Sequence, residues 1–136
     1  MSERNTVNDL AKWVRGFDYD AIPDRVLEMV KFSLLDALGG AFAAMKFSHA
    51  AGDALKILDH GGAGNCTIIG QDRRAGVVDA VFANDMLIRA LDFNDYLPKD
   101  PNDGFTLGSH PSDNMAIGLT IGEQQNSSGR DFLTAM

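Results

Sequence analysis

Polar side chains able to do chemistry crowd into one stretch of the chain, among them Asp92, Asn94, Asp95, Tyr96, Ser109, His110, Ser112 and Asp113. Two of them border structured elements. Asp92 follows directly on the apolar run that ends at Ala90 and Leu91, so a rigid helix end can hold its carboxylate in place. His110 precedes Pro111, and a proline at the first helical position puts His110 at or beside the N-cap. The positive end of that helix favours a neutral imidazole, which can accept a proton as a general base must. Asp113 is spaced to return a hydrogen bond to the His110 backbone in capping-box fashion. On spacing alone, capping and loop-stabilising roles for Asp92 and His110 outweigh catalysis. A metal reading of Asp92, Asp95, His110 and Asp113 is weaker still, because the stretch has neither a His-x-x-x-His pair nor a regular acidic loop.

Other polar residues point to structural work. Asp36 stands in an apolar helical run, so a hydrogen bond or an arginine partner is expected for it, with catalysis the lesser reading. His49 and His60 flank a predicted helix without an acidic or nucleophilic neighbour at useful spacing, which suits surface or cap positions. The glycines Gly61, Gly62 and Gly64 lack the phosphate-binding spacing and follow a helix instead of opening one, so they read as a turn. Cys66, the single cysteine, has no disulfide partner within the chain and reads as a small buried hydrophobe.

The elements that must position these groups are mainly helices. Asn5 or Thr6 caps a short helix carrying Leu10, Trp13 and Val14, and Gly16 stops it. Phe17 to Ile22 connects to a second helix opened by Pro23 and Asp24, in which Val26, Leu27, Val30, Leu34, Leu38 and Ala41 keep helical spacing. Apolar residues surround the second half of that helix, so it is expected to be central. Gly39 and Gly40 inside it cost about 1 kcal/mol each relative to alanine, which close packing would offset. Ser48 caps a third helix through Ala51, Leu55 and Leu58. One short β segment is expected near residues 65–70, then a polar turn over Gln71 to Gly76. A strong helical pattern follows from Val77 through Leu91, and Asp92 to Ser109 reads as a long loop with Pro98, Pro101 and Gly104. Pro111 opens a further helix, and Ser127 or Ser128 precedes one more that has barely begun at Met136, so the chain is expected to be a truncation.

The 136 residues fit one domain, with neither an internal repeat nor an internal linker. A net charge of −7 argues against nucleic acid and anionic membrane surfaces as partners, although a local cluster can still bind a small anion. The N-terminus lacks the apolar core of a signal peptide, and the apolar run from Phe32 to Phe47 is too interrupted and short to span a bilayer comfortably. A cytoplasmic location is expected.

Four stretches, in order, resemble the N-terminal part of the MmgE/PrpD family: LLDALGGAFAA at Leu34 to Ala44, GNCTIIG at Gly64 to Gly70, RALDFND at Arg89 to Asp95 and SHPSDN at Ser109 to Asn114. The closing SSGRDFLTAM is similar to the family's next helix. The resemblance implies that residues 1–136 are the N-terminal part of an all-helical domain, with a smaller α+β domain following. It further implies a lyase acting on small polycarboxylates by proton abstraction beside a carboxylate, without metal or cofactor, in a homo-oligomer, expected to be a dimer. By position, Asp92 matches the family's active-site aspartate and His110 its His-Pro histidine. Tyr96 takes a substrate-binding position where decarboxylase-like members carry threonine, and the loop after it is longer than the family pattern. The remaining catalytic positions of the family lie beyond Met136. The wording HPSDN favours 2-methylcitrate dehydratase over cis-aconitate decarboxylase or iminodisuccinate epimerase, and a non-catalytic helical module is the alternative of another class.

Overall fold

Helix α1 (Thr6–Gly16) opens the part of the chain described by a computed structural model, which covers residues 6–96 and 109–136. None of its residues is buried, and Leu10, Trp13 and Val14 stay more than half exposed. Among the described residues its apolar stripe is thus only partly covered, the Trp13 ring meeting that of Phe17 at 4.8 Å. A 3-10 turn at Tyr19–Ala21 then leads to Pro23. That proline is the N-cap of α2 (Asp24–Phe47), where its missing N–H breaks no helical hydrogen bond, and Asp24 places a carboxylate beside the positive helix end.

Helix α2 runs through Gly39 and Gly40 without a break. Close packing does not explain the pair. A Cβ at Gly40 would make only ordinary contact, 3.6 Å from the Ile88 carbonyl oxygen, and one at Gly39 would meet nothing within 4 Å. The expectation of a central second half is also half met. Ala37, Ala41 and Ala44 face inward, but Leu35, Phe42 and Phe47 remain exposed. Asp36 lies on the exposed side, so its carboxylate keeps its water and needs no buried partner.

Ser48 divides α2 from α3 (His49–Ile57), as expected. Its N–H closes the first helix on Ala44, and its hydroxyl accepts from the Ala51 N–H of the second. His49 and His60 are exposed at the two ends of this region. The glycine turn after it packs against the start of the next helix: a Cβ at Gly64 would collide with the Ala75 and Gly76 backbone, and the Gly62 N–H donates to Asp79 at 3.0 Å.

Two strands of two residues follow, β1 (Cys66–Thr67) and β2 (Arg74–Ala75), antiparallel with Cys66 opposite Ala75 and Thr67 opposite Arg74. The second strand corrects the expected polar turn. Two residues carry no periodicity to read, and distant side chains hold the pair. Glu123 accepts from the Thr67 N–H at 2.7 Å and from its hydroxyl at 2.6 Å, and also pairs with Arg74 at 2.8 Å. Asn84, almost fully buried, accepts from the Ile69 N–H and donates to the Thr67 carbonyl, both at 2.9 Å.

The centre of the fold is α4 (Val77–Arg89), which contacts α2, α3 and α5 (Met115–Gln124). Its inward residues Ala80, Ala83, Leu87 and Ile88 meet the alanines of α2 and α3, with Ile68, Met115 and Ala116 completing the core. Small side chains let the helix axes approach, so burial is spread over many modest contacts. Cys66 is part of this core, as expected of a buried small hydrophobe. Helix α6 (Gly129–Ala135) begins at Ser128, whose hydroxyl accepts from the Asp131 N–H while the Asp131 carboxylate accepts from the Ser128 N–H. Among the described residues no helix is long and apolar enough to cross a membrane. The mainly helical class with one small β element is as expected.

Candidate active site

The last turn of α4 delivers Arg89, and the chain then turns sharply at Asp92, whose φ is +53°. This left-handed conformation is unfavourable for most side chains, and aspartate and asparagine tolerate it best among non-glycine residues. The Asp92 N–H donates to the Arg89 carbonyl at 3.1 Å, and its carboxylate lies 3.5 Å from an Arg89 guanidinium nitrogen. The Asp92 side chain is 85% exposed, so the carboxylate opens to solvent. Asn94 folds back over the helix end, donating to the Ile88 carbonyl at 2.8 Å and accepting from Arg89 at 3.3 Å. This satisfies a carbonyl that the end of α4 would otherwise leave unpaired.

Asp95 joins three parts of the fold. Its carboxylate accepts from the Ser112 N–H at 3.0 Å and from the Ser33 hydroxyl of α2, while its backbone carbonyl is bonded to His110 Nδ1 at 2.7 Å. Partial burial pushes the Asp95 carboxyl up. The Ser112 and Ser33 hydroxyls, the Ser112 amide and the neighbouring His110 ring together outweigh that and hold it below the ordinary carboxylate value. The Ser112 hydroxyl acts here by proximity, since its buried oxygen has no properly aligned hydrogen bond.

His110 is the N-cap of a 3-10 turn, Pro111–Asn114, that leads into α5, so its expected place beside a helix start is correct. It makes no side-chain capping bond. The half-buried ring lies against Tyr96, with centroids 5.9 Å apart and planes tilted by 58°. The capping-box expectation for Asp113 is corrected. Its N–H donates to the His110 carbonyl at 3.0 Å, but its carboxylate pairs with Arg89 Nε at 3.2 Å. A guanidinium offers a charge-assisted bond that an uncharged backbone N–H cannot match.

The structure thus puts Tyr96 directly on His110, and Arg89 bridges Asp92 to Asp113 at the other border of the loop. Among the described residues no hydrogen bond or ion pair joins Asp92 to His110 itself. Nor, among these residues, do three or more His, Cys, Asp or Glu side chains converge closely enough to hold a metal ion. The expected loop positions Lys99, Asp100 and Asp103, with Pro98, Pro101 and Gly104, lie outside the described residues.

Three contributors were not singled out from the sequence. Ser33 lies within the interrupted apolar run from Phe32 to Phe47, and Arg89 opens the RALDFND stretch, with nothing in local spacing to mark either as a site residue. Asp85 lies one helical turn before Arg89. Burial first, and the Asp113 charge second, push its carboxyl up, with Arg89 opposing them, and one of its oxygens is buried without a hydrogen-bond partner.

Comparison with known proteins gives this arrangement a context. Residues 8–136 match the MmgE/PrpD N-terminal domain. The chain is 31% identical over 94 residues to a cis-aconitate decarboxylase-like protein, oryM, of Aspergillus oryzae, a match covering 69% of this chain and 20% of that protein. It is 24% identical over 100 residues to a cis-aconitate decarboxylase of Aspergillus terreus, covering 74% of this chain and 20% of the relative. The chain thus spans about a fifth of the length of the curated relatives it matches. No solved structure gives a significant match. With the family pattern extending over nearly every residue, the chain belongs to the MmgE/PrpD family, in its N-terminal domain.

Proposed function

We propose that this chain supplies part of the active site of a lyase acting on small polycarboxylates, with His110 as general base, Asp92 as its acidic partner across the site and Tyr96 as a substrate contact. The observation that carries this reading is the family match together with the seating of His110 against Tyr96 and the Asp95 carbonyl. The leading reaction is dehydration of 2-methylcitrate. A base takes the proton from the carbon next to a carboxylate, its electron pair forms the carbon–carbon double bond, and the hydroxyl on the adjoining carbon leaves as water with a proton from an acid. The HPSDN stretch supports this substrate. A second reading, decarboxylation of cis-aconitate, is favoured by the names of the relatives, and epimerisation of iminodisuccinate is a third.

In this reading residues 1–136 form the N-terminal part of a helical domain, an α+β domain from a longer chain supplies the other wall, and the enzyme is a cytoplasmic dimer working without metal or cofactor. The match to an N-terminal domain and the coverage of about a fifth of the relatives support the domain arrangement in this reading. The alternative of another class, a non-catalytic helical module, predicts no turnover in any context. The test is to assay the gene's whole product against 2-methylcitrate, cis-aconitate and iminodisuccinate. Turnover of 2-methylcitrate is expected, with His110→Ala lowering the rate by about 10²–10⁴-fold while the fold survives. A His110→Ala protein that is destabilised but turns over normally would leave His110 with a structural role only, through its bond to the Asp95 carbonyl.

A further inference from the structure

We infer that Asp95 is a positioning residue that fixes which nitrogen of His110 carries the proton, and that Ser33 of α2 anchors it for that purpose. A carbonyl oxygen can only accept, so the 2.7 Å contact between the Asp95 carbonyl and His110 Nδ1 requires a proton on Nδ1. In the neutral ring the lone pair then sits on Nε2, which has no hydrogen-bond partner among the described residues. This is the minor tautomer of histidine in water, so the protein must impose it. It does so through the Asp95 carboxylate, which is tied to α2 by the Ser33 hydroxyl and to the turn after His110 by the Ser112 N–H. Those two bonds hold the carbonyl of the same residue against the ring. Ser33, Asp95 and Ser112 are far apart in sequence, so the arrangement belongs to the tertiary fold.

The catalytic meaning rests on the proposed function, because only a base with a free Nε2 uses this tautomer to take a proton. The tautomer itself does not depend on catalysis. Nitrogen NMR of the 136-residue chain with labelled histidine, at a pH where the rings are neutral, reads it directly. His110 is expected in the Nδ1–H form, and the exposed His49 and His60 in the water-like Nε2–H form. In Asp95→Ala the His110 proton should move so that Nε2–H becomes the major form. Asp95→Asn, which keeps an acceptor for the Ser112 N–H, should restore most of the Nδ1–H population. Ser33→Ala removes one anchor alone and should raise the Nε2–H fraction, which keeps the test decisive if Asp95→Ala does not fold. A wild-type His110 in the Nε2–H form overturns the inference, as does a folded Asp95→Ala or Ser33→Ala protein with unchanged nitrogen shifts. If the shifts behave as expected while the gene's whole product turns over none of the three substrates, the proposed function fails and the positioning role stands.

Discussion

Replacing Asp92 separates backbone strain from chemistry, because the residue is held at φ +53° while its side chain is 85% exposed. The stability terms are small. The left-handed conformation costs about 1 kcal/mol for a residue with a Cβ and nothing for glycine. The ion pair to Arg89, long at 3.5 Å and open to solvent, contributes a few tenths of a kcal/mol at most. Asp92→Gly therefore loses the ion pair and adds about 0.4–1 kcal/mol of unfolded-state freedom, but gains the relieved strain, leaving it within about 1 kcal/mol of the parent. Asp92→Ala lacks aspartate's local tolerance of this conformation and pays nearer about 2 kcal/mol of strain. Set against the roughly 0.4–1 kcal/mol that glycine loses to unfolded-state freedom, this leaves it less stable than Asp92→Gly by about 1 kcal/mol. Urea unfolding of the two variants beside the parent measures that order. If Asp92 also acts in catalysis, both substitutions in the gene's whole product should lose turnover equally, despite unequal stability. An alanine variant as stable as the glycine variant would refute the strain argument, and unchanged turnover in both would remove Asp92 from the site.

Gly39→Ala should stabilise the chain by about 1 kcal/mol, since a Cβ there meets open space and alanine favours the helix; a lower melting temperature would show that this face of α2 is covered. Asp85→Asn should raise the melting temperature at neutral pH and lose that advantage below about pH 4. The sign follows from the raised Asp85 pKa. Between the ordinary and the native value the folded state binds the extra proton, so stability falls as pH rises through that window, and the penalty is complete above it. A pH-independent difference between Asp85→Asn and the parent, read from melting curves, would show that the buried charge is not its source.

Helical periodicity made α2 through α5 readable, and the cap chemistry of Ser48 and Ser128 placed two helix starts. The core was harder, because alanine-rich helices look apolar on every side. Which face of α2 turns inward depends on its neighbour α4 and not on its own pattern. The places of Asp92 and His110 beside helix borders were legible from spacing, whereas Tyr96 was picked out only by the family resemblance. Arg89 and Ser33 were not. Their roles exist only once Asp113, more than twenty residues after Arg89, and Asp95, 62 residues after Ser33, are brought beside them. The capping-box reading of Asp113 failed for the same reason, since local spacing cannot show a competing guanidinium on another helix.

The small sheet has little stability of its own, being two residues long on each side. The amides of Thr67 and Ile69 are satisfied by Glu123 on α5 and Asn84 on α4. Their hydrogen-exchange protection is therefore borrowed, and it is lost when those helices separate, not when the strand ends fray. Glu123 lies 56 residues from Thr67, so the strands lock only after the chain has closed that long loop. Slow exchange at Thr67 and Ile69 thus reports the docking of α4 and α5, making the least regular element of the fold a clock for its final assembly.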